Sequence, residues 1–257
     1  MKIRILGIGM GPQHVTAEVA RAIEETDYLV AYDKRSTAGA RVGDGTDELF
    51  AVRQRVADVY DKELVAIPDP ERDRQPDDYK AAVAAWHKAR LDALESVLLQ
   101  RAPGLADGGT IGFLAWGDPA FYDSTVRIVT AISERTGAEW DVLPGVSAVQ
   151  LLAAKHRMSL HRVAEPVHIT AVRRLPEALA SGQRNIVAML GEVDWSQPPM
   201  DGLGEWQVHW GSNLGAVGER LVSGRLDDVR EDIIRARQEA FDEAGWVMDL
   251  CLLQGPK

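Results

Sequence analysis

Lys2-Ile-Arg-Ile-Leu-Gly7-Ile-Gly9-Met-Gly11-Pro12 stands at the head of the chain. Residues 3–8 are an apolar run that ends among three alternating glycines, which reads as a buried strand delivering a tight loop. Thr16 follows as a candidate N-cap, with Val19, Ala22 and Ile23 on one helical face. Residues 27–33, Asp-Tyr-Leu-Val-Ala-Tyr-Asp, form a second strand pattern. Strand, glycine loop, helix and strand open a parallel α/β sheet.

The same grammar recurs further along. Apolar strand patterns at 110–116 and 140–143 run into Gly117-Asp118-Pro119 and Pro144-Gly145-Val146-Ser147. In open α/β sheets the carboxyl ends of strands form the ligand crevice, so three glycine-containing loops at three strand ends point to one site. Asp77 or Asp78 caps a helix with Val83, Trp86, Leu94, Val97 and Leu98 on one face. Residues 36–47, rich in Gly, Thr and Asp, read as a loop. Past residue 160 the texture changes. Strand patterns come at 167–172, 185–190, 206–210 and 246–253, and one long helix at 226–243 ends at Gly245. The length, 257 residues, divided by ~150 per domain gives about 1.7. The expectation is two α/β domains, 1–162 and 163–257.

Composition narrows the function classes. Lys and Arg total 29 against 39 Asp and Glu, a net charge of −10, which disfavours nucleic acid or an acidic membrane as a partner. The longest apolar run, Ala81 to Trp86, falls far short of the ~18 residues of a membrane span. The opening enters a strand pattern with no signal-type apolar core, and a cytoplasmic protein is expected. Cys251 is the only cysteine, which removes disulfides and cysteine zinc sites. His156 and His161 are five apart and no H-E-x-x-H occurs, so no metal site is expected.

The glycine loop differs from the dinucleotide fingerprint G-x-G-x-x-G, because Pro12 stands where its third glycine belongs. Asp33 nonetheless sits where a ribose-binding acid would, so a nicotinamide-dependent enzyme remains an alternative. A ligand-free tight turn is the bland reading. Gly145-x-Ser147 approaches a nucleophile elbow but lacks its last glycine, and Ser147 reads better as a helix N-cap. Trp86, Trp116 and Trp140 read as core.

The ordered set of glycine loop, Gly117-Asp118-Pro119 and Pro144-Gly145-Val146-Ser147 resembles the tetrapyrrole (corrin/porphyrin) methyltransferase family over essentially the whole chain. Five stretches resemble its deacetylating corrin-pathway branch: Ile8-Gly-Met-Gly-Pro-Gln-His-Val-Thr16, Ile67-Pro-Asp-Pro-Glu-Arg-Asp-Arg74, Trp116-Gly-Asp-Pro-Ala-Phe-Tyr-Asp-Ser-Thr125, Glu165-Pro-Val-His-Ile-Thr170 and Leu221-Val-Ser-Gly-Arg225. Where many members have Gly-Pro-Gly in the first loop, this chain has Met10 in place of the proline.

The resemblance implies two α/β domains with S-adenosylmethionine in the cleft between them, and a homodimer. It implies methylation of C-1 of precorrin-5, a tetrapyrrole polycarboxylate, with loss of an acetyl group as acetate. It implies cofactor contacts at Gly9, Met10, Gly11, Gly117, Asp118, Phe121, Ser147 and Ala148, and in the second domain at Met189, Leu190, Gly211 and Leu214. Methyl transfer needs chiefly positioning, and Asp118, which shapes its loop, is counted with Asp33 and Tyr122 among the candidate catalytic residues. Deacetylation needs water attack on an acyl carbon, for which Asp33 is the candidate base and Tyr122 the candidate donor. Arg72, Arg74 and Lys34 are candidate partners for substrate carboxylates, a task suited to cationic side chains. The alternatives are a sister methyltransferase acting at another ring carbon and a non-catalytic tetrapyrrole-binding protein on the same fold.

Overall fold

The computed structural model describes residues 1–33, 48–71, 78–101, 108–195, 200 and 202–256. The chain divides into two compact units, Met1–Ser147 and Ala148–Lys257. The seam read from the sequence at 162/163 therefore lies inside the second unit. The physical reason is the helix Ala148–Lys155, which packs on strands of the second sheet.

In the first unit the described residues form a five-stranded parallel sheet. Its strands are β1 (Lys2–Gly7), β2 (Tyr28–Asp33), β3 (Leu64–Pro68), β4 (Thr110–Ala115) and β5 (Glu139–Leu143), in the order β3-β2-β4-β1-β5. Side chains alternate across it as period two requires. Ile3, Ile5, Tyr28, Val30, Ile111 and Phe113 face one side, where α3 (Tyr79–Arg101) and α4 (Thr125–Thr136) cover them with Leu91, Leu94, Leu98, Ile128 and Ile132. Leu6, Ile8, Leu29 and Leu114 face the other, beneath α1 (Ala17–Glu24) and α2 (Glu48–Val59). Both faces are buried, which is why these strands read as continuous apolar runs.

Local signals hold this frame. Thr16 caps α1 by accepting the Val19 N–H at 3.2 Å. Asp78 accepts the Ala81 N–H at the head of α3 at 3.0 Å. Gly137, left-handed at φ 71, ends α4. The chain moves from β1 toward β2 and β3, and from β4 back past β1 to β5. The loops after the neighbouring strands β1 and β4 thus leave in opposite directions, which makes their carboxyl ends the topological switch point. Within this sheet the sequence expectation and the structure differ in two places. β3 was not foreseen, because its five residues end in a proline. Trp140, expected in the core, is 36% exposed because β5 is an edge strand.

The second unit opens with α5 (Ala148–Lys155) and continues with β6 (His168–Ala171), α6 (Leu175–Ala180) and β7 (Asn185–Met189). β8 (Gln207–Ser212), β9 (Arg220–Arg225), α7 (Leu226–Ala244) and β10 (Asp249–Gln254) follow. The described sheet order is β6-β7-β10-β8-β9, parallel only between β6 and β7. Trp210, Ile186, Leu226, Ile233 and Leu253 fill its core. Gly245 ends α7 at φ 75, its N–H reaching the Phe241 carbonyl at 2.7 Å. β9 gives no clean sequence signal, because its exposed face carries apolar Leu221 beside Ser223 and Arg225. Among the described residues no helix is long and apolar enough to cross a membrane.

Candidate active site

Three loops of the first unit are built into one another. β1, β4 and β5 are neighbours, and their carboxyl ends lie side by side with Gly7 opposite Ala115 and Leu6 opposite Leu143. Beyond the strands, Gly9 N–H donates to the Gly117 carbonyl at 3.1 Å and Gly117 N–H returns a bond to the Gly9 carbonyl at 2.8 Å. This isolated antiparallel bridge closes the switch point. Both residues need φ in the left-handed region, at 58 and 70, which favours glycine.

The third loop joins through close backbone approach. A Cβ on Gly7 would strike Gly145 N and Cα, and a Cβ on Gly145 would strike the Gly117 carbonyl oxygen and Gly7. The Asp118 carboxylate completes the tie. Its Oδ2 accepts the Gly145 N–H at 2.8 Å, and its Oδ1 accepts the Ala120 N–H at 2.8 Å. The Asp118 carbonyl takes the Phe121 N–H at 3.1 Å. With both oxygens so engaged, Asp118 fits a loop tie better than the catalytic role the sequence suggested, because taking up a proton would weaken a charge-assisted bond.

The glycine loop is shaped from within. Pro12–His14 form a 3-10 turn, and the His14 Nδ1 accepts the Met10 N–H at 3.2 Å. α1 starts only at Ala17. A dinucleotide site needs the helix N-terminus directly behind the glycines to meet the pyrophosphate. The interposed turn departs from that geometry, which weighs against the nicotinamide alternative. The sequence assigns His14 no role of its own, although it lies within the Ile8–Thr16 stretch that carries the resemblance.

Other candidates fall at the same sheet edge. Asp33, 6% exposed, ends β2, and its carbonyl accepts the Asp69 N–H at 3.1 Å. β2 and β4 stop pairing at Val30–Phe113, and Arg53 reaches the Leu114 carbonyl at 3.1 Å beside that opening. Tyr122, 51% exposed, has φ 54, a strained conformation for an aromatic residue. Met10 is buried, Gly11 extends the loop, and Phe121 is half-buried. Ser147, 2% exposed, directly precedes Ala148 at the start of α5, the N-cap position expected of it. Lys34, Arg72 and Arg74 lie outside the described residues.

Within the second unit, Met189 and Gly211 both pair with Leu250 from opposite sides of β10, so the two candidate positions share one level of the sheet. Leu190, just past Met189, has φ 61 and is 48% exposed. Gly211 is required by packing, since a Cβ there would meet Leu214 Cδ2 at 2.8 Å and Leu152 Cδ1 at 3.1 Å. Leu214 itself is buried. The turn between them is pinned by Asn213, left-handed at φ 47 and fully buried. Its Oδ1 accepts the Met248 N–H at 2.8 Å and its Nδ2 donates to the Trp246 carbonyl at 3.1 Å.

The first-unit cradle fits a ligand that lies against backbone. A Cβ added at Gly117 would meet nothing within 4 Å among the described residues, although Gly9 and Gly145 are packed solid. The open space is therefore on the side of the loops away from the protein, with buried Met10 and half-buried Phe121 adding apolar surface. A cofactor with an uncharged adenosine and an amino-acid end matches such a mixed backbone and apolar lining.

Comparison with known proteins agrees with this geometry. The family model described as Tetrapyrrole (Corrin/Porphyrin) Methylases matches residues 2–230. The chain is 35% identical over 260 residues to precorrin-6A synthase [deacetylating] of Sinorhizobium sp, covering 98% of this chain and 95% of that one. Among solved structures, a protein described as related to cobalamin synthesis (CobF) from Corynebacterium diphtheriae superposes with a TM-score of 0.80 at 31% identity over 100% of both chains. A uroporphyrin-III C-methyltransferase of Thermus thermophilus, solved with S-adenosyl homocysteine, shares the fold at TM-score 0.58 and 19% identity, covering 99% of this chain and 92% of that one. Two mixed α/β units, three interlocked glycine loops and a match along nearly the whole chain lead to one conclusion: the chain belongs to the tetrapyrrole (corrin/porphyrin) methylase family of S-adenosylmethionine-dependent methyltransferases.

Proposed function

We propose that the protein is a precorrin-6A synthase (deacetylating), which methylates C-1 of precorrin-5 from S-adenosylmethionine and releases acetate to give precorrin-6A. The observation that carries this is the near-full-length likeness to the Sinorhizobium enzyme of that name. S-adenosylmethionine, when bound, supplies an electrophilic methyl group on its sulfonium. The backbone of Gly9, Gly11 and Gly117, the side chains of Met10 and Phe121, and Ser147 with Ala148 hold it. Met189, Leu190, Gly211 and Leu214 are the assigned contacts in the second unit. Asp118 acts as a positioning residue through Gly145. Holding reactants in line in this way accounts for about 7–11 kcal/mol of a barrier.

Release of acetate needs a second set of groups. Water adds to the acyl carbon, the bond to the macrocycle breaks, and the electron pair stays on the macrocycle. Asp33 takes the proton from the water and Tyr122 donates to the acyl oxygen. Arg72, Arg74 and Lys34 meet carboxylates of the substrate. The enzyme is assigned to the cytoplasm as a homodimer, and light scattering tests the dimer.

The test is incubation with precorrin-5 and S-adenosylmethionine carrying a carbon-13 methyl group. The reading expects the label at C-1 and one acetate per methyl transferred. Label at another ring carbon without acetate would make it a sister methyltransferase instead.

A further inference from the structure

Arg90 is buried at the edge of the first-unit sheet, and nothing in the proposed reaction uses it. It lies on α3, one turn after Trp86. Its Cζ sits 3.7 Å from the Tyr32 ring centroid and 4.8 Å from that of Trp86. Its Nε is 3.0 Å from Asp69 Oδ1, with side-chain exposures of 11% and 7%. The alignment of that pair is poor for a hydrogen bond, so the contact is mainly an ion pair. The Nη1 donates to Ser124 Oγ at 2.6 Å. The Tyr32 hydroxyl donates to the Arg90 carbonyl at 2.7 Å, and Trp86 Nε1 donates to the Pro70 carbonyl at 2.9 Å. One guanidinium thus joins the ends of β2 and β3 to the start of α4.

Burying such an ion pair gains little stability over an apolar packing of the same volume, because both charges lose their water. Its geometric consequence is larger. Ser124 closes the Gly117–Ser124 loop, whose front end is tied by Asp118 to Gly145 and Ala120. Asp123 Oδ1 accepts the Thr125 N–H at 2.5 Å next to the rear anchor. Between the two anchors stands Tyr122, half exposed and left-handed. A strained residue persists only where its surroundings over-determine it. The front anchor belongs to the glycine cradle, and the rear anchor is Arg90.

We propose that Arg90 is a positioning residue for Tyr122: by holding Ser124 it keeps the Tyr122 backbone left-handed and its phenol set for the tetrapyrrole, independently of the cofactor cradle. The functional half of this statement rests on the precorrin reading above. Arg90 has no direct part in methyl transfer. Losing its bond to Ser124 lets residues 122 and 123 relax while Phe121 stays on the Asp118 carbonyl and Gly9, Gly117 and Gly145 keep their mutual contacts.

Ser124→Ala removes only the link, and Arg90→Gln and Arg90→Lys alter the anchor. Hydrogen exchange read on peptides covering 117–124 and 6–14 tests the geometry without any substrate. All three variants are expected to speed exchange in the first peptide and leave the second unchanged. With precorrin-5, Ser124→Ala is expected to cut kcat/KM roughly tenfold while the S-adenosylhomocysteine Kd moves less than twofold. Arg90→Lys, which keeps the charge but not the fork, falls between Arg90→Gln and the parent. In a Tyr122→Gly background Ser124→Ala is expected to have no further effect. Unchanged exchange at 117–124, equal loosening of both peptides, or additive effects in the double variant would overturn the proposal. If Arg90→Gln does not fold, Ser124→Ala and Tyr122→Gly decide it. If the parent protein does not turn over precorrin-5, the functional reading fails while exchange still decides the positioning claim.

Discussion

Asp118 Oδ2 accepts the backbone N–H of Gly145 at 2.8 Å across 27 residues of sequence, and this bond makes two strand-end loops one object. Its other oxygen holds Ala120. Hydrogen bonds to a charged acceptor contribute about 1.5–3 kcal/mol each. Asp118→Ala is therefore expected to lower the thermal midpoint and to weaken S-adenosylhomocysteine at least tenfold by calorimetry. Asp118→Asn keeps one acceptor but turns an amide N–H toward another N–H, and falls between. An unchanged Kd in Asp118→Ala would remove Asp118 from the cradle.

His14 does for the glycine loop what Asp118 does for its neighbour. Its Nδ1 accepts the Met10 N–H, and a Cβ on Gly9 would strike the His14 side chain. His14→Ala leaves a half-satisfied loop at a cost of about 1 kcal/mol. A rise of about fivefold in the cofactor KM is expected, with kcat little changed, since the bond acts on binding rather than on the reacting atoms. Steady-state kinetics with varied cofactor separate the two.

His209, on β8, has its pKa pushed down to about 4 by burial and then by the neighbouring His156, whose ring is 5.2 Å away. The folded state thus binds fewer protons there than the unfolded chain, whose histidine titrates near ~6.5. Its stabilising contribution is complete above about pH 6.5 and is lost as pH falls toward 4. After solvent screening at this half-buried site the loss is on the order of 1–2 kcal/mol. Thermal midpoints measured from pH 7 to pH 5 are expected to fall, and to fall less in His209→Gln.

Much of the first unit was legible because its chemistry is local. An apolar run followed by alternating glycines can do little else but end a strand in a tight loop, and the Gly117 and Gly145 loops carried the same signature. What escaped was whatever depends on partners distant in sequence. Asp118 stands out in its Gly-Asp-Pro motif, but its bond to Gly145 is not written in the sequence. Arg90 carries no sequence signal of its own, because its stacking on Tyr32 and its bond to Ser124 join residues 58 and 34 positions away. β3 is short and proline-ended, and β9 places apolar Leu221 on its exposed face beside Val222, so neither shows a clean strand pattern. In the second unit Met189 and Gly211 came from resemblance alone, and their common level beside Leu250 is a fact of register that composition does not carry.

Glycine substitution separates packing from ligand space. Gly145→Ala places a methyl group against the Gly117 carbonyl and Gly7, backbone that cannot yield, so a large fall in the thermal midpoint is expected whatever the protein binds.

Gly117→Ala asks the central question, whether the open side of the cradle is where the cofactor lies. Its methyl group meets nothing within 4 Å among the described residues, so only the left-handed backbone opposes it. That strain costs about 1–2 kcal/mol, a few degrees in the thermal midpoint. The decisive measurement is calorimetric titration of S-adenosylhomocysteine into the folded variant and its parent. With the cofactor on that side, one site per chain is expected in the parent and at least a tenfold weaker Kd in Gly117→Ala. Equal affinity in the two proteins would contradict it.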